Sequence, residues 1–158
     1  MASTRDQSPA GLLALLEQEL TLLARHHLSS AQHDPALELD RSGYQLLSRL
    51  RLGPLSLGQL AEAFRLDVST VNRQVAALLR TGLVERLPDP GGSLARVIRP
   101  TRAGLGRLRH DRRVKQGRVR QVIADWDEAD VNRLHELLAR FNASIEALEG
   151  RPWPREQP

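Results

Sequence analysis

The stretch from residue 56 to residue 98 constrains the fold of this chain more than any other part of the sequence. It begins with two helical patterns that are separated by a turn of only three or four residues. It ends with two strand-like runs, 83–87 and 94–98, which flank the turn sequence Asp-Pro-Gly-Gly. Because so short a turn makes the second helix cross the first, this order predicts a helix-turn-helix followed by a β-hairpin.

Capping residues mark the boundaries of both helices. Ser56 can cap the first helix with its hydroxyl while Gln59 reaches back to the Ser56 backbone, which is the pattern of a capping box. Asp67 precedes the second helix and is predicted to cap it. This second helix then runs to Arg80 and ends before Gly82, a residue suited to the left-handed position after a helix.

Two further helices are predicted before this stretch. Ser8 and Pro9 offer a cap and a first-turn proline, and leucines follow at intervals near three and four. These leucines are Leu12, Leu13, Leu16, Leu20, Leu23 and Leu28. Their stripe is broad for so short a segment, which predicts packing against more than one neighbour. Asp40 heads the next helix, which Gly53 and Pro54 terminate.

Two more helices are predicted after the hairpin. Thr101 heads a long helix that reaches about residue 123, and Asp127 caps the last one. The last helix carries apolar residues at alternating steps of three and four, as in a coiled coil. These are Val131, Leu134, Leu138, Phe141, Ile145 and Leu148. A seam of this kind must be buried against another surface. The tail that follows is rich in proline and cannot extend the helix.

Composition agrees with a mainly helical fold. Apolar residues make up 41% of the 158 residues but aromatic residues only 3%, so leucine and valine must fill the core. The length is sufficient for one domain with an added oligomerisation element, but not for two independent cores. We therefore predict a mainly α fold with one small β-hairpin wing.

Charge and cysteine content narrow the possible functions. The net charge of +4 is compatible with a polyanionic partner, but all except one of the 23 basic residues are arginine, which indicates a GC-rich genome. The chain has no cysteine, which excludes disulfides, thiol redox sensing and thiolate metal sites. No run approaches the roughly 18 apolar residues of a membrane span, so we expect a cytoplasmic protein without a membrane partner.

The second helix of the helix-turn-helix has a polar face that suits DNA. At about 100° per residue, Val71, Val75 and Leu78 fall on one side of this helix and the polar residues on the other. Serine, threonine, asparagine and arginine pair with base edges and phosphates in a major groove about 12 Å wide. The predicted DNA-binding residues of this recognition helix are Ser69, Thr70, Asn72, Arg73, Gln74 and Arg80. The alternative for these residues is an ordinary solvated helix surface.

These motifs together resemble the MarR family of bacterial transcription regulators. The stretch LSLGQLAEAFRLDVSTVNRQVAALLRTGLVER is similar to the family's helix-turn-helix, and Pro88-Asp89-Pro90 to the start of its wing. Thr101-Arg102-Ala103-Gly104 is similar to the start of the following helix, and Trp126-Asp127-Glu128 to the start of the last one. The resemblance extends from about residue 12 to about residue 148.

The resemblance implies a two-fold homodimer in which the N-terminal and C-terminal helices interleave. Two recognition helices would then lie roughly 34 Å apart and read a pseudo-palindrome in double-stranded DNA. The implied dimer interface contains Leu13, Leu16, Leu20, Val131, Leu134, Leu138, Phe141 and Ile145. Regulators of this kind usually repress, and many release DNA when a small aromatic or phenolic ligand binds between the dimerisation helices and the winged domain. The sequence does not identify the residues of such an effector pocket.

The same resemblance implies the domain organisation. We expect a disordered N-terminus at 1–7, a dimerisation helix at 8–36, a winged helix-turn-helix DNA-binding domain at 37–100, dimerisation helices at 101–149 and a tail at 150–158.

Two positions depart from the family pattern. The wing tip reads Gly91-Gly92-Ser93-Leu94 where most relatives have an Asp-x-Arg-Arg-like sequence, so the usual wing arginine is missing. Arg86 and Arg96 are the candidates to replace it. Ser56, at the start of the first helix of the helix-turn-helix, is a further candidate DNA contact. Arg65 stands in the turn where relatives often have glycine, at a cost of about 1 kcal/mol if the position is left-handed.

Other functions find less support in the sequence. The run 107–120 carries seven basic residues, but such a run on a helix is usually a solvated face. His26 and His27 point about 100° apart on a helix and cannot bind one metal together, so we expect neither a metal nor another cofactor. No nucleophile–base pair or phosphate loop is present, so we expect no enzyme. The remaining alternative is a winged-helix adaptor that binds protein without DNA readout, which the altered wing tip favours.

Overall fold

The computed structural model describes residues 9–32, 34–88, 91–92 and 96–155, and these form six helices and three short strands. The elements are α1 (Pro9–Gln32), α2 (Arg41–Leu50), β1 (Leu55–Ser56), α3 (Leu57–Phe64), α4 (Val68–Arg80), β2 (Val84–Pro88), β3 (Arg96–Pro100), α5 (Arg102–Val122) and α6 (Glu128–Glu149). The predicted disordered segment 1–7, the Ser8 cap, and Asp89, Pro90, Ser93 and Leu94 of the wing lie outside the described residues. The mainly α fold with a small sheet confirms the predicted fold class.

Most of the predicted caps are present. Ser56 Oγ accepts a hydrogen bond from Gln59 N at 3.2 Å and Gln59 Oε1 accepts one from Ser56 N at 2.8 Å, which completes the capping box. The side chains of Asp40, Thr101 and Asp127 accept backbone N–H groups at the starts of α2, α5 and α6. Each cap satisfies donors that the first turn of a helix leaves free, and so determines where the helix begins.

The turn between α3 and α4 differs in one respect from the prediction. Asp67 occupies the N-cap position of α4, but its side chain makes no capping hydrogen bond within the described part of the chain. Only its backbone carbonyl accepts, from Thr70 N and Val71 N at 3.0 and 3.1 Å, so the predicted side-chain cap was wrong. Arg65 has φ 54° and ψ 46°, a left-handed conformation that costs a non-glycine residue about 1 kcal/mol.

The wing contains the predicted hairpin, formed by β2 and β3, and a third strand, β1, that was not predicted. The antiparallel strand order is β1-β3-β2, with Leu55 opposite Ile98 and Val84 opposite Pro100. β1 has only two residues, too few for an alternating pattern to indicate a strand in the sequence. Strand β2 begins at Val84, one residue later than predicted, because Leu83 N donates to Leu78 O at 2.9 Å and completes the end of α4.

The hydrophobic core lies between residues 39 and 108, within the winged domain and the first turns of α5. Its fully buried side chains are those of Leu46, Leu47, Leu50, Leu60, Val71, Val75, Ile98 and Leu108. Gly104 brings α5 against the sheet, because a Cβ there would overlap the carbonyl oxygen of Leu83. Helix α4 contributes Val71, Val75 and Leu78 to this core and is held by packing on that side.

A buried carboxylate attaches the connection between α1 and α2 to α5. Asp111 is fully buried and accepts hydrogen bonds from the N–H groups of Glu38 and Leu39 at 2.9 and 3.0 Å. Arg118 forms an ion pair with Asp34 nearby. The segment 34–39, which joins α1 to the winged domain, is thus fixed along one side of α5.

Helices α1 and α6 lie outside this core and keep their apolar faces uncovered in the single chain. Leu13 is 65% exposed, Leu138 39% and Phe141 38%. Within the described chain no side chain of α6 is buried. None of the described helices combines the length and the apolar character needed to cross a membrane.

Candidate nucleic-acid interface

Helix α4 has one face in the core and the opposite face in solvent, as predicted. Val71 and Val75 are fully buried and Leu78 is nearly so, which sets the rotation of the helix about its axis. Among the predicted DNA-binding residues, Ser69, Asn72, Arg73 and Arg80 are exposed, while Thr70 and Gln74 are partly exposed. The polar side chains therefore stand on the outer face because the valines anchor the inner one.

Two separate hydrogen bonds, which we name together the polar network, orient side chains in the first two turns of α4. Arg73 Nη2 donates a hydrogen bond to Thr70 Oγ1 at 3.2 Å. Arg86, on strand β2, donates from Nη2 to Asn72 Oδ1 at 3.0 Å. The hydrogen bond from Arg86 uses one of the two lone pairs on the amide oxygen of Asn72, so the second lone pair and both N–H groups can still bind a ligand. The structure thus brings a wing residue beside the recognition helix.

The other predicted contact residues lie apart from this network. Arg80 is in the last turn of α4, about 10 Å along the helix axis from Arg73 at 1.5 Å per residue. Arg96 is exposed at the start of β3, opposite Pro88 and next to the wing tip. Ser56 is half-buried and its hydroxyl already accepts the capping hydrogen bond from Gln59. Each of these three residues would therefore contact DNA at a different place from Asn72 and Arg73.

Several basic residues outside this network are paired within the chain. Arg99 forms two hydrogen bonds with Glu85 Oε1, at 2.7 and 3.1 Å. Arg107 pairs with Glu38 at 3.5 Å. Lys115 Nζ lies 3.5 Å from the centroid of the Tyr44 ring, and burial lowers the pKa of this lysine. The basic run on α5 is therefore partly used for internal contacts, and these residues do not form a free basic surface.

A cavity of about 610 Å³ lies between the segment 34–42 and the recognition helix. Its lining includes Leu37, Asp40, Arg41 and Gln45 from the segment and α2, and Gln74 from α4. Among the described residues that line it, Gln74 is the one from α4. No group of three or more metal-ligating side chains occurs in the described part of the chain.

The structure also reveals contacts that sequence patterns did not predict. Arg65 in the turn before α4 pairs with Glu149 at the end of α6, and Trp153 of the tail packs on Phe64 of α3. These partners are more than 80 residues apart in the chain, beyond the reach of any periodicity. The one indication of these contacts in the sequence was Trp153, which lies between two prolines in a chain with only 3% aromatic residues.

Comparisons with known proteins agree with this architecture. The sequence model of the MarR family matches residues 41–91. A curated relative, the uncharacterized HTH-type transcriptional regulator YxaD of Bacillus subtilis (strain 168), is 34% identical over 143 residues, which cover 89% of this chain and 98% of the relative.

Solved structures show the same fold. The MarR family transcription regulator SP03579 has a TM-score of 0.70 at 15% identity, over 89% of this chain and 94% of its own. RV1404 from Mycobacterium tuberculosis has a TM-score of 0.66 at 23% identity, over 94% of this chain and 99% of its own. The similarity in both cases extends over the flanking helices as well as the winged domain.

Proposed function

This chain belongs to the MarR family of transcription regulators, and on that premise we propose that it is a repressor that binds a pseudo-palindromic operator as a homodimer and is released by a small ligand. Members of the family are regulators and not enzymes. The observation that carries the proposal is the exposed polar network of Asn72 and Arg73, on a helix anchored by buried valines, with Arg86 of strand β2 beside them.

The chemistry of this network supports direct reading of bases. Arginine pairs with the O6 and N7 atoms of guanine, asparagine pairs with adenine, and each good pair discriminates by about 1–3 kcal/mol. Arg73 and Asn72 are the proposed base-reading residues. The proposed supporting contacts, to phosphates and neighbouring bases, come from Ser69, Thr70, Gln74 and Arg80, and at the edges from Ser56, Arg86 and Arg96.

The uncovered apolar faces of α1 and α6 support the proposed homodimer. Leu13, Leu16, Leu134, Leu138, Phe141 and Ile145 are each between 38% and 65% exposed, and Leu20 and Val131 are partly buried. Contiguous apolar faces of this size on two helices are unusual for a monomer. A second copy of the chain would bury them and place the two recognition helices on one side of the DNA.

The proposed ligand response is supported by the position of the cavity next to Gln74. Its volume of about 610 Å³ falls within the range of about 300–1,000 Å³ that is usual for small-molecule sites. A molecule bound there would touch the recognition helix at Gln74. A small aromatic or phenolic compound that binds at this site is expected to weaken DNA binding, which a titration of preformed complex would measure.

The decisive experiment is selection of bound duplexes from a random DNA pool. Regulator function predicts enrichment of two inverted half-sites separated by one helical turn, with affinity that falls steeply as salt rises. Light scattering on the same sample would give the oligomeric state. A protein that enriches no sequence, even at low salt, would instead be the protein-binding adaptor considered above.

A further inference from the structure

The segment after the last helix folds back onto the helix-turn-helix. We name residues 149–155, which are the last residue of α6 and the segment that follows it, the C-terminal strap. At its start, Arg65 donates from Nη1 to Glu149 Oε1 at 3.0 Å, and Arg65 Nη2 lies 2.8 Å from Glu149 Oε2. Arg151 Nη1 then donates to the carbonyl oxygen of Glu62 at 3.4 Å. The strap thereby contacts both the end of α3 and the turn that leads into the recognition helix.

Trp153 provides the apolar contact of the strap. Its ring meets the ring of Phe64 edge-on, with centroids 5.4 Å apart and planes at 65°. The guanidinium carbon of Arg49, near the end of α2, lies 5.9 Å from the Trp153 centroid. Edge-to-face aromatic pairs and cation–π contacts are both attractive at these distances. Trp153 is therefore held between α2 and α3.

Local features keep the strap in this conformation. Arg155 donates to both carboxylate oxygens of Glu146 at 2.6 and 3.0 Å, and these hydrogen bonds lower the pKa of Glu146. Pro152 and Pro154 flank Trp153 and limit its backbone freedom, which reduces the entropy lost when the tryptophan docks. The chain thus folds back on α6 and presents its tryptophan to the winged domain.

The strap gives the winged domain a second attachment. The first is made by α5 and by Asp111, which binds the segment leading from α1. A winged domain attached at only one place can rotate about that attachment. A second attachment fixes its orientation relative to α6. Successive base pairs lie about 3.4 Å apart along the DNA, so a recognition helix displaced by that distance faces the neighbouring base pair. Small rotations of the winged domain therefore change which bases are read.

We propose that the C-terminal strap positions the helix-turn-helix relative to α6 and so determines which half-site spacing the dimer accepts. Arg65, Glu149 and Trp153 are the positioning residues in this proposal, and none of them needs to touch DNA. The proposal rests on the proposed function, because it concerns the geometry of a dimer on its operator.

The main test measures binding to operators whose two half-sites are moved closer or further apart by one base pair. Wild type is expected to bind its best spacing about tenfold more tightly than a spacing changed by one base pair, which is the usual loss of affinity for one mismatched base pair. Glu149→Arg and Trp153→Ala are expected to reduce this preference to about threefold or less, while Trp153→Phe retains most of it. A purely stabilising strap would change overall affinity or unfolding without changing the spacing preference.

Charge reversal separates positioning from DNA contact by Arg65. Arg65→Glu alone and Glu149→Arg alone are both expected to broaden the accepted spacing, and the double variant to restore it. Glu136→Arg, on the same helix but away from its apolar seam, is the matched control and should behave as wild type. If the double variant binds no better than Arg65→Glu and Glu149→Arg has no effect, Arg65 acts on DNA directly and the proposal is wrong.

Docking of the strap can be followed without DNA. Trp126 and Trp153 are the two tryptophans of the chain, so Trp126→Phe leaves Trp153 as the single fluorophore. Acrylamide should quench the fluorescence of Trp153 several times less than that of free tryptophan. Glu149→Arg should increase this quenching, because it removes the ion pair that holds the strap in place. A Trp153 as accessible as free tryptophan would overturn the proposal.

The two proposals fail in different ways. A wild-type protein that selects no duplex contradicts the proposed regulator function. A wild-type protein that selects one spacing sharply, and whose strap variants select it equally sharply, contradicts the role of the strap alone.

Discussion

Arg73 combines an exposed position with a hydrogen bond that limits its movement. The bond from its Nη2 to Thr70 Oγ1 holds the side chain along the first turns of α4, at the end of the helix that would enter the groove first. A guanidinium that is already partly ordered loses less conformational entropy when it pairs with a base. Sequence periodicity located Arg73 on the correct face, but only the structure showed which neighbour orients it.

Replacing Arg73 tests base reading at the residue scale. Arg73→Ala is expected to abolish specific operator binding, through loss of a contact worth about 1–3 kcal/mol together with its phosphate interactions, while the dimer stays folded. Footprinting and light scattering measure the two effects. Arg140→Ala, an exposed arginine on α6, is the control. A footprint like that of wild type for Arg73→Ala would refute the assignment.

Arg86 and Arg99 form a matched pair on neighbouring strands of the wing. Arg86 lies beside Asn72, whereas Arg99 is neutralised by Glu85 at 2.7 Å. Arg86→Ala is therefore expected to weaken DNA binding and to reduce the slope of log affinity against log salt by about two, one lost phosphate contact for each protomer of the dimer. Arg99→Ala should leave the slope unchanged. Equal slopes for both variants would place Arg86 away from DNA.

At the scale of single elements, the join between α5 and the sheet is the most sensitive point. Gly104→Ala would place a methyl group against the carbonyl oxygen of Leu83 and close to Leu47 Cδ2, so we expect a loss of about 1–3 kcal/mol in the free energy of unfolding. Urea unfolding at one fixed protein concentration measures this change, because dimer stability depends on concentration.

Gly106 provides the control for this prediction. It lies on the same helix, and the nearest atom to an added Cβ there is a flexible Arg109 nitrogen at 4.0 Å. Gly106→Ala is expected to stabilise the protein by about 0.5–1 kcal/mol, since alanine favours a helix over glycine by about that amount. Similar effects of the two substitutions would contradict the close approach at Gly104.

Elements with strong local chemistry were predictable, and elements without it were not. The capping box of α3 and the caps of α2, α5 and α6 depend on residues within one turn, so the sequence was sufficient to place them. Asp67 occupies the predicted position but its side chain does not cap, because local sequence identifies a boundary without fixing the rotamer. Strand β1 is formed only by its pairing with β3, a distant partner.

At the scale of the whole molecule, the apolar seam of α6 is expected to hold the dimer together. Leu138→Glu or Phe141→Glu would place a charge in that seam and should dissociate or unfold the dimer, since a buried carboxylate without a partner costs several kcal/mol. Light scattering measures the mass. Ala143→Glu, on the opposite side of α6, should remain dimeric, and an intact Leu138→Glu dimer would count against this interface.

The sequence by itself determined the order of the six helices and the two hairpin strands, most helix boundaries, the buried side of α4 and the polar residues on its outer side. These properties depend on short-range periodicity and capping, which act within a few residues. Only the tertiary structure decided that Arg86 meets Asn72, that β1 joins the wing, and that Glu149 and Trp153 close on the turn at Arg65. Contacts between residues 14 to 89 positions apart depend on how the helices pack in space, and no local pattern encodes them.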